Sequence, residues 1–437
     1  MRRNIDLPLS PHGVCIGVIL IAIVSLQGCA VMNSIRDKSR PFPLYPEESL
    51  ERRRFALVPG SDVIGRLAVI KVKNGDTLPD IARHFSLGIN EISAANPDVD
   101  IWVPKAGRRI MLPMRFILPD APRKGIVINL AAMRLFQFRT ENNALVVWTY
   151  PVGIGTTERP TPTGQMYVER KVTRPTWYVP ASISADYRQK GDPLPPEVLP
   201  GPLNPLGDYA LYLSKSTYLV HGTNKPYSIG LTATNGCIRL YPEDIDELYG
   251  NTPVGTPVYI VNQPYLVGER NEIVYLEAHT PLEGTDEAER EKIYTRLKNI
   301  EKRAGRALDW KKINAVLSEA RGIPVPIFEF NQGKWAAPTI EIKHPVTLYG
   351  QPEVPRMKRD AWYVLATSTR DEIDALRMAA IINHQGPQIP ARVKTTSEDY
   401  RVIAGPFNSI GEAKDAARRL KIDLELDGIV MEPVKKK

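Results

Sequence analysis

In the stretch "TATNGCIRL", residues 232–240, a cysteine stands between a glycine and an arginine. Cys237 follows, by sixteen positions, the histidine that ends the apolar run "YLVHG". A thiol serves as a nucleophile when a base takes its proton, donors hold the oxyanion it creates, and the acyl group has room. Of six histidines, His12, His84, His279, His344 and His384 lie outside the β-rich stretch around Cys237, which leaves His221 as the available imidazole. Such a pairing lowers a thiol pKa and lets one ring act as base and then as acid. Gly236 allows a carbonyl to approach the backbone closely, so the N–H groups of Gly236 and Cys237 are placed to form an oxyanion hole. Arg239 is positioned either to steer a carboxylate or to brace the loop. The competing reading of Cys237 is a small buried core residue.

The elements that must position these groups lie within 437 residues, a length that suits two to four domains. Hydrophobic residues at 43% and charged ones at 24% fit a globular protein, and 39 prolines point to linkers and turn-rich β structure. The net charge of +8 is spread along the chain rather than gathered in blocks, and no nucleic-acid motif accompanies it. Arg2 and Arg3 precede "VCIGVILIAIVSL", a run shorter than the ~20 residues that span a bilayer, which reads as a signal peptide over residues 1–28. It ends in "LQGCA", which resembles a bacterial lipobox and implies cleavage before Cys29 and lipidation of its thiol, with an uncleaved anchor as the alternative. Ala30, in place of aspartate, favours the outer membrane over the inner. With Cys15 removed and Cys29 lipidated, Cys237 is left as the free thiol and no internal disulfide forms.

Residues 29–68 read as a polar tether. Residues 69–114 follow as strand, two short helices and strand, with Leu78, Ile81, Ala82 and Phe85, then Ile89 and Ile92, at helical spacing. Gly75, Asp76 and Thr77, the Asn96-Pro97 pair and the closing strand ending at Pro113 make this module resemble a LysM domain. That implies a small α/β unit binding N-acetylglucosamine-containing glycan. His84 reads here as a solvated helix residue without metal partners. Short β runs fill residues 125–262, interrupted by "VPASISADYRQKGDPLPPEVLPGPLNPLG", long enough to be a lid or site wall. Ile293, Leu297, Ile300 and Ala304, then Trp310, Ile313, Leu317 and Ala320, predict a helical hairpin over 283–322, and residues 323–360 a linker. Residues 361–434 read as βαββαβ, with capping boxes at Thr369 with Glu372 and at Ser409 with Glu412. With "YRVIAGPFNSIGEAKDAARRL", this ferredoxin-like pattern resembles a SPOR domain, which implies binding to glycan strands stripped of peptides.

The segment "HGTNKPYSIGLTATNGCIRL", with "PVGIG", "TPTG", "RPTW" and "GPLNPLGDYALYL" before it, resembles the YkuD-type L,D-transpeptidases of bacterial cell walls over about residues 125–262. The resemblance implies a mostly-β, sandwich-like catalytic domain. It implies that Cys237 attacks the amide following diaminopimelate in a peptidoglycan stem tetrapeptide, expelling D-alanine and forming a thioester. An amine then takes the acyl group, either another stem's diaminopimelate or a lysine of an outer-membrane lipoprotein. His221 would carry the proton, with the Gly222 carbonyl orienting its ring, and Thr234, Asn235, Tyr209 and Trp177 would line the substrate. No metal or cofactor is implied. Asn235 stands where most members carry histidine, which bears on substrate preference. Transfer to water, or a wall-binding scaffold without catalysis, are the rival readings, and the implied location is the cell envelope, facing the periplasm.

Overall fold

The computed structural model describes residues 52–189, 191–215, 217–282, 286–328 and 339–434. The signal peptide, Cys15, Cys29 and His12 lie outside the described residues. No helix among the described residues is long and apolar enough to cross a membrane.

The first module is strand Leu67–Lys71, helices Leu78–His84 and Ile89–Ala95, and strand Arg109–Leu112. Thr77 caps the first helix by accepting from Asp80 N at 3.1 Å. Leu78, Ile81, Ala82, Phe85 and Ile92 are fully buried, as their spacing predicts. Asn96 donates to Ile92 O and Met111 O and accepts from Met111 N, each at 2.8 Å, so one amide ends the second helix and pins the closing strand.

Three expectations need correction here. The end of the supposed tether is folded, because Arg54–Ala56 pairs antiparallel with Ala144–Pro151 and Val63–Gly65 with Arg115–Ile117. The supposed linker supplies Thr339–Ile342, which pairs in parallel with Leu67–Lys71. Both segments satisfy backbone groups that an open sheet edge would leave unpaired. His84 is buried rather than solvated, since its Nδ1 accepts from Tyr349 N at 2.8 Å and Arg52 lies 3.2 Å from its Nε2. Burial and the nearby Arg52 push that imidazole down to about 3.

The central region is one nine-stranded ladder. From one edge, Arg54–Ala56 is followed by Ala144–Pro151, Arg134–Glu141, Gly125–Asn129, Pro257–Val261, Gly164–Thr173, Tyr209–Leu213, Leu219–His221 and Ile238–Arg239. Gly164–Thr173 joins its two halves, because residues 164–167 pair with Pro257–Val261 and residues 168–173 with Tyr209–Leu213. A strand that changes partners in this way turns a sheet's corner, and its register shifts between Val168 and Arg170, where it passes from one half to the other. Its core includes Ile126, Tyr150, Met166, Leu211, Val220 and Ile238, with Ile245 and Leu248 from the helix Pro242–Gly250.

The expected helical hairpin is part of a larger unit. Tyr265–Arg270, Ile273–Ala278 and Val325–Pro326 form a three-stranded sheet, and helices Asp286–Ala304 and Trp310–Glu319 bury Ile293, Leu297, Ile313 and Leu317 against it. The C-terminal module has the predicted order of elements, in an antiparallel sheet ordered Ala391–Thr395, Tyr400–Phe407, Trp362–Thr369, Ile429–Met431. Ser409 caps its second helix, but the first is capped by Asp371, which accepts from Asp374 N at 2.9 Å, rather than by Thr369. This module docks on the first through His384 to Asp80 at 3.0 Å and Arg377 to Asp100 at 2.8 Å.

Candidate active site

Leu219–His221 and Ile238–Arg239 lie side by side in parallel, with Val220 opposite Ile238 and His221 opposite Arg239. Val220 and Ile238 both face the buried core. Strand alternation therefore sends Leu219, His221, Cys237 and Arg239 to the other face, where His221 and Cys237 are diagonal neighbours. All four line a cavity of about 610 Å³.

His221 is 4% exposed. Its Nδ1 lies 2.7 Å from Gly222 O. A carbonyl only accepts, so Nδ1 carries the proton and Nε2 the lone pair. The turn "PLG" holds this carbonyl in place: Gly207 has φ +68°, and a Cβ there would lie 2.9 Å from Thr223 N and 3.1 Å from Gly222 Cα. Burial, reinforced by the charge of Arg239, pushes the imidazole down to about 3. Burial also raises the Cys237 thiol, whose Sγ contacts Thr217 O at 3.8 Å. The sequence-based expectation of a lowered thiol pKa is thus reversed, because desolvation penalises the thiolate and the neighbouring imidazole is uncharged. The resting pair is neutral thiol and neutral imidazole.

One consequence is measurable. Alkylation of Cys237 by iodoacetamide is expected to accelerate about tenfold per pH unit between about pH 6 and 8, because thiolate is scarce below a raised pKa. A rate that is flat across this interval would instead reveal a preformed thiolate–imidazolium pair.

The nucleophile loop is fixed by its carbonyls. Thr161, the first threonine of "TPTG", donates to Gly236 O at 3.0 Å, and Thr234 donates to Cys237 O at 2.6 Å. Since a trans peptide aims its N–H opposite to its C=O, the Cys237 N–H points away from Thr161. Among the described residues, no turn or loop hydrogen bond takes the N–H of Gly236 or Cys237. Gly236 itself has φ +94°, and a Cβ there would meet the Tyr218 ring at 2.8 Å, so only glycine fits.

Arg239 donates to Ser228 Oγ at 2.9 Å, while its buried Nε has no partner. No carboxylate among the described residues pairs with it, and burial lowers its pKa. Arg170, whose guanidinium lies 3.4 Å from the Tyr212 ring centroid, and Arg174 also line the cavity, whose walls carry no carboxylate. The lining suits a ligand bearing carboxylates.

Trp177 and Thr234 line the cavity. Asn235 does too, and its Oδ1 accepts from Arg159, which also holds Asp186 of the helix Ala181–Gln189 at 3.1 Å. Tyr209 does not line it. In Tyr209–Leu213 the residues opposite His221 and Leu219 are Ala210 and Tyr212, so Tyr212 shares the cavity face and Tyr209 the reverse. There its ring lies 4.8 Å from that of Tyr249, and its phenol bonds Asp246, which raises its pKa. Thr161, Arg159, Arg170 and Tyr212 were missed. Of these, only Thr161 sits in a motif that could have flagged it. No group of three or more His, Cys, Asp or Glu among the described residues is arranged to hold a metal ion.

The proline-rich stretch forms the cavity's outer wall. Buried Asn204 ties it down by donating to Pro175 O at 2.8 Å and Val198 O at 3.0 Å and accepting from Leu206 N at 2.9 Å.

Comparison with known proteins agrees with this geometry. Family models match at residues 123–260, a YkuD L,D-transpeptidase catalytic domain, at 70–113, a LysM domain, and at 358–432, a SPOR domain. The chain is 37% identical over 294 residues to the probable L,D-transpeptidase ErfK/SrfK of Escherichia coli K12, covering 65% of this chain and 90% of that protein. It is 41% identical over 231 residues to the probable L,D-transpeptidase YbiS of the same organism, covering 52% and 74%. A third relative there, the probable L,D-transpeptidase YcfS, is 38% identical over 259 residues, covering 58% and 77%. With nine-tenths of one such relative spanned, and a cysteine and a histidine set on one face of adjoining parallel strands, the chain belongs to the L,D-transpeptidase family.

Proposed function

We propose that the protein remodels peptidoglycan by moving an acyl group from one stem peptide to an amine, through a thioester on Cys237. The observation that carries this reading is the Nδ1 contact of His221 with Gly222 O, which leaves a neutral Nε2 on the cavity face shared with Cys237. As Sγ attacks the carbonyl of diaminopimelate, its proton passes to Nε2. The N–H of Cys237, with that of Gly236, receives the oxyanion. His221 then returns the proton to the departing D-alanine amine as the C–N bond breaks. Arg239 takes the carboxylate of the donor's diaminopimelate.

The LysM and SPOR domains hold the enzyme on glycan, and lipidated Cys29 tethers it to the outer membrane, facing the periplasm. The acceptor is the amine of a second diaminopimelate or a lipoprotein lysine.

Incubation with disaccharide-tetrapeptide, followed by mass spectrometry, tests the reading. Wild-type protein should yield a crosslinked dimer with loss of D-alanine, and Cys237→Ala should yield none. A monomeric tripeptide as sole product would replace transfer by hydrolysis, and equal products from both proteins would refute the assignment of Cys237.

A further inference from the structure

A second cavity, of about 460 Å³, adjoins the first, and Trp177 and Pro205 line both. One side is the proline-rich wall and the loop after His221. The other is the SPOR domain, through Gly386, Pro387 and the helix Ile410–Leu424. The two domains meet intimately there: a Cβ at Gly386 would run into the Asn224 carbonyl and come within 3.0 Å of Lys225 Cα.

The charges in this second cavity are unequal. Lys225 pairs with Asp423 at 3.3 Å, and Arg418 pairs with Asp192 and, at 2.8 Å, with Asp415. Arg419, the remaining cation of the lining, donates to Pro387 O and forms no ion pair among the described residues. Trp177, Leu194, Val198, Leu203 and Ile422 supply an apolar floor. The cavity thus offers one guanidinium with no carboxylate within ion-pair distance among the described residues, beside apolar surface and next to the chamber that holds the nucleophile. A two-substrate transfer needs a second site of this kind, because the donor occupies the first while its thioester waits.

We infer that this interdomain cavity is the acceptor site, in which the SPOR domain, through Arg419, binds a carboxylate of the incoming stem peptide. The inference rests on the transferase reading above. From there the acceptor's amine passes between Trp177 and Pro205 to the thioester. Its nitrogen adds to the carbonyl, the C–S bond breaks as the amide C–N bond forms, and the amine proton moves through His221 Nε2 to Cys237 Sγ, restoring the thiol. The SPOR domain is then part of the catalytic unit as well as a glycan-binding appendage.

The test uses the full chain, disaccharide-tetrapeptide as donor, and an isotopically labelled tripeptide ending in diaminopimelate, which has no D-alanine to lose and so serves only as acceptor. Arg419→Gln is expected to leave the rate of Cys237 acylation within about threefold and to raise the half-saturating acceptor concentration about tenfold or more, the loss expected for one charge-assisted hydrogen bond. Gly386→Leu, which wedges the domains apart, should shift products from labelled dimer toward hydrolysed tripeptide at an unchanged acylation rate. Absence of acylation in wild type would defeat the transferase reading itself. Normal acylation with unchanged acceptor saturation in Arg419→Gln would overturn this inference alone. So would a defect confined to binding of peptide-free glycan.

Discussion

Replacing His221 with glutamine is expected to slow acylation of Cys237 by about 10²–10⁴-fold, the usual contribution of a positioned general base. Stability should change much less. The ring is held by backbone carbonyls, Gly222 O at 2.7 Å and that of Leu206, and the strand around it is fixed by backbone pairing to Tyr209–Leu213 and Ile238–Arg239, which glutamine retains. The effect is large because the thiol gains little help from its surroundings: burial raises its pKa, and no preformed imidazolium offsets this. Proton transfer must therefore accompany attack. The variant should keep its affinity for donor while the acylation step slows, a split that stopped-flow mass measurements of the acyl-enzyme resolve. A loss of affinity at an unchanged acylation rate would make His221 a substrate-binding residue instead.

The second large effect concerns the joint between LysM and catalytic domains. Arg134, with no exposed surface, donates to both carboxylate oxygens of Glu91 at 2.6 and 2.7 Å, to Ser86 O at 2.9 Å and to Thr149 Oγ1 at 3.1 Å, and it lies 4.1 Å from the Phe116 ring centroid. Glu91 in turn accepts from Gly88 N at 2.6 Å and so caps the second LysM helix. Arg134→Met leaves that carboxylate buried without its cation, at a cost of about 3–5 kcal/mol. Pairing it with Glu91→Leu should recover a substantial part, since an apolar pair of similar volume avoids the desolvation of both charges. Denaturant unfolding of the wild type, both single variants and the double variant measures the coupling. Additive effects would show that the pair holds nothing together.

Neighbouring examples show what was readable from residues alone and why. Cys237 and His221 were legible because a strand-ending histidine and a glycine-preceded cysteine are local patterns, and the parallel pairing of their strands needs only a return of the chain. Tyr209 was misplaced by one position of strand parity, which depends on the register against Leu219–His221 and so on a partner strand. His84 was misread because the residues that bury it, Arg52 and Tyr349, lie far away in sequence. The strands Arg54–Ala56 and Thr339–Ile342 are short, and only the edges they cover give them their conformation. The thiol's raised pKa depends on desolvation, which no motif encodes. The bond from Arg159 to Asn235 joins two loops that are separated in the chain.

Intact-protein mass spectrometry after mixing with disaccharide-tetrapeptide tests the central claim most directly. An adduct equal to the donor minus D-alanine, mapped to the peptide carrying Cys237 and absent in Cys237→Ala, is the predicted result. Crosslinked product accumulating without that adduct, or the adduct forming elsewhere in the chain, would contradict it.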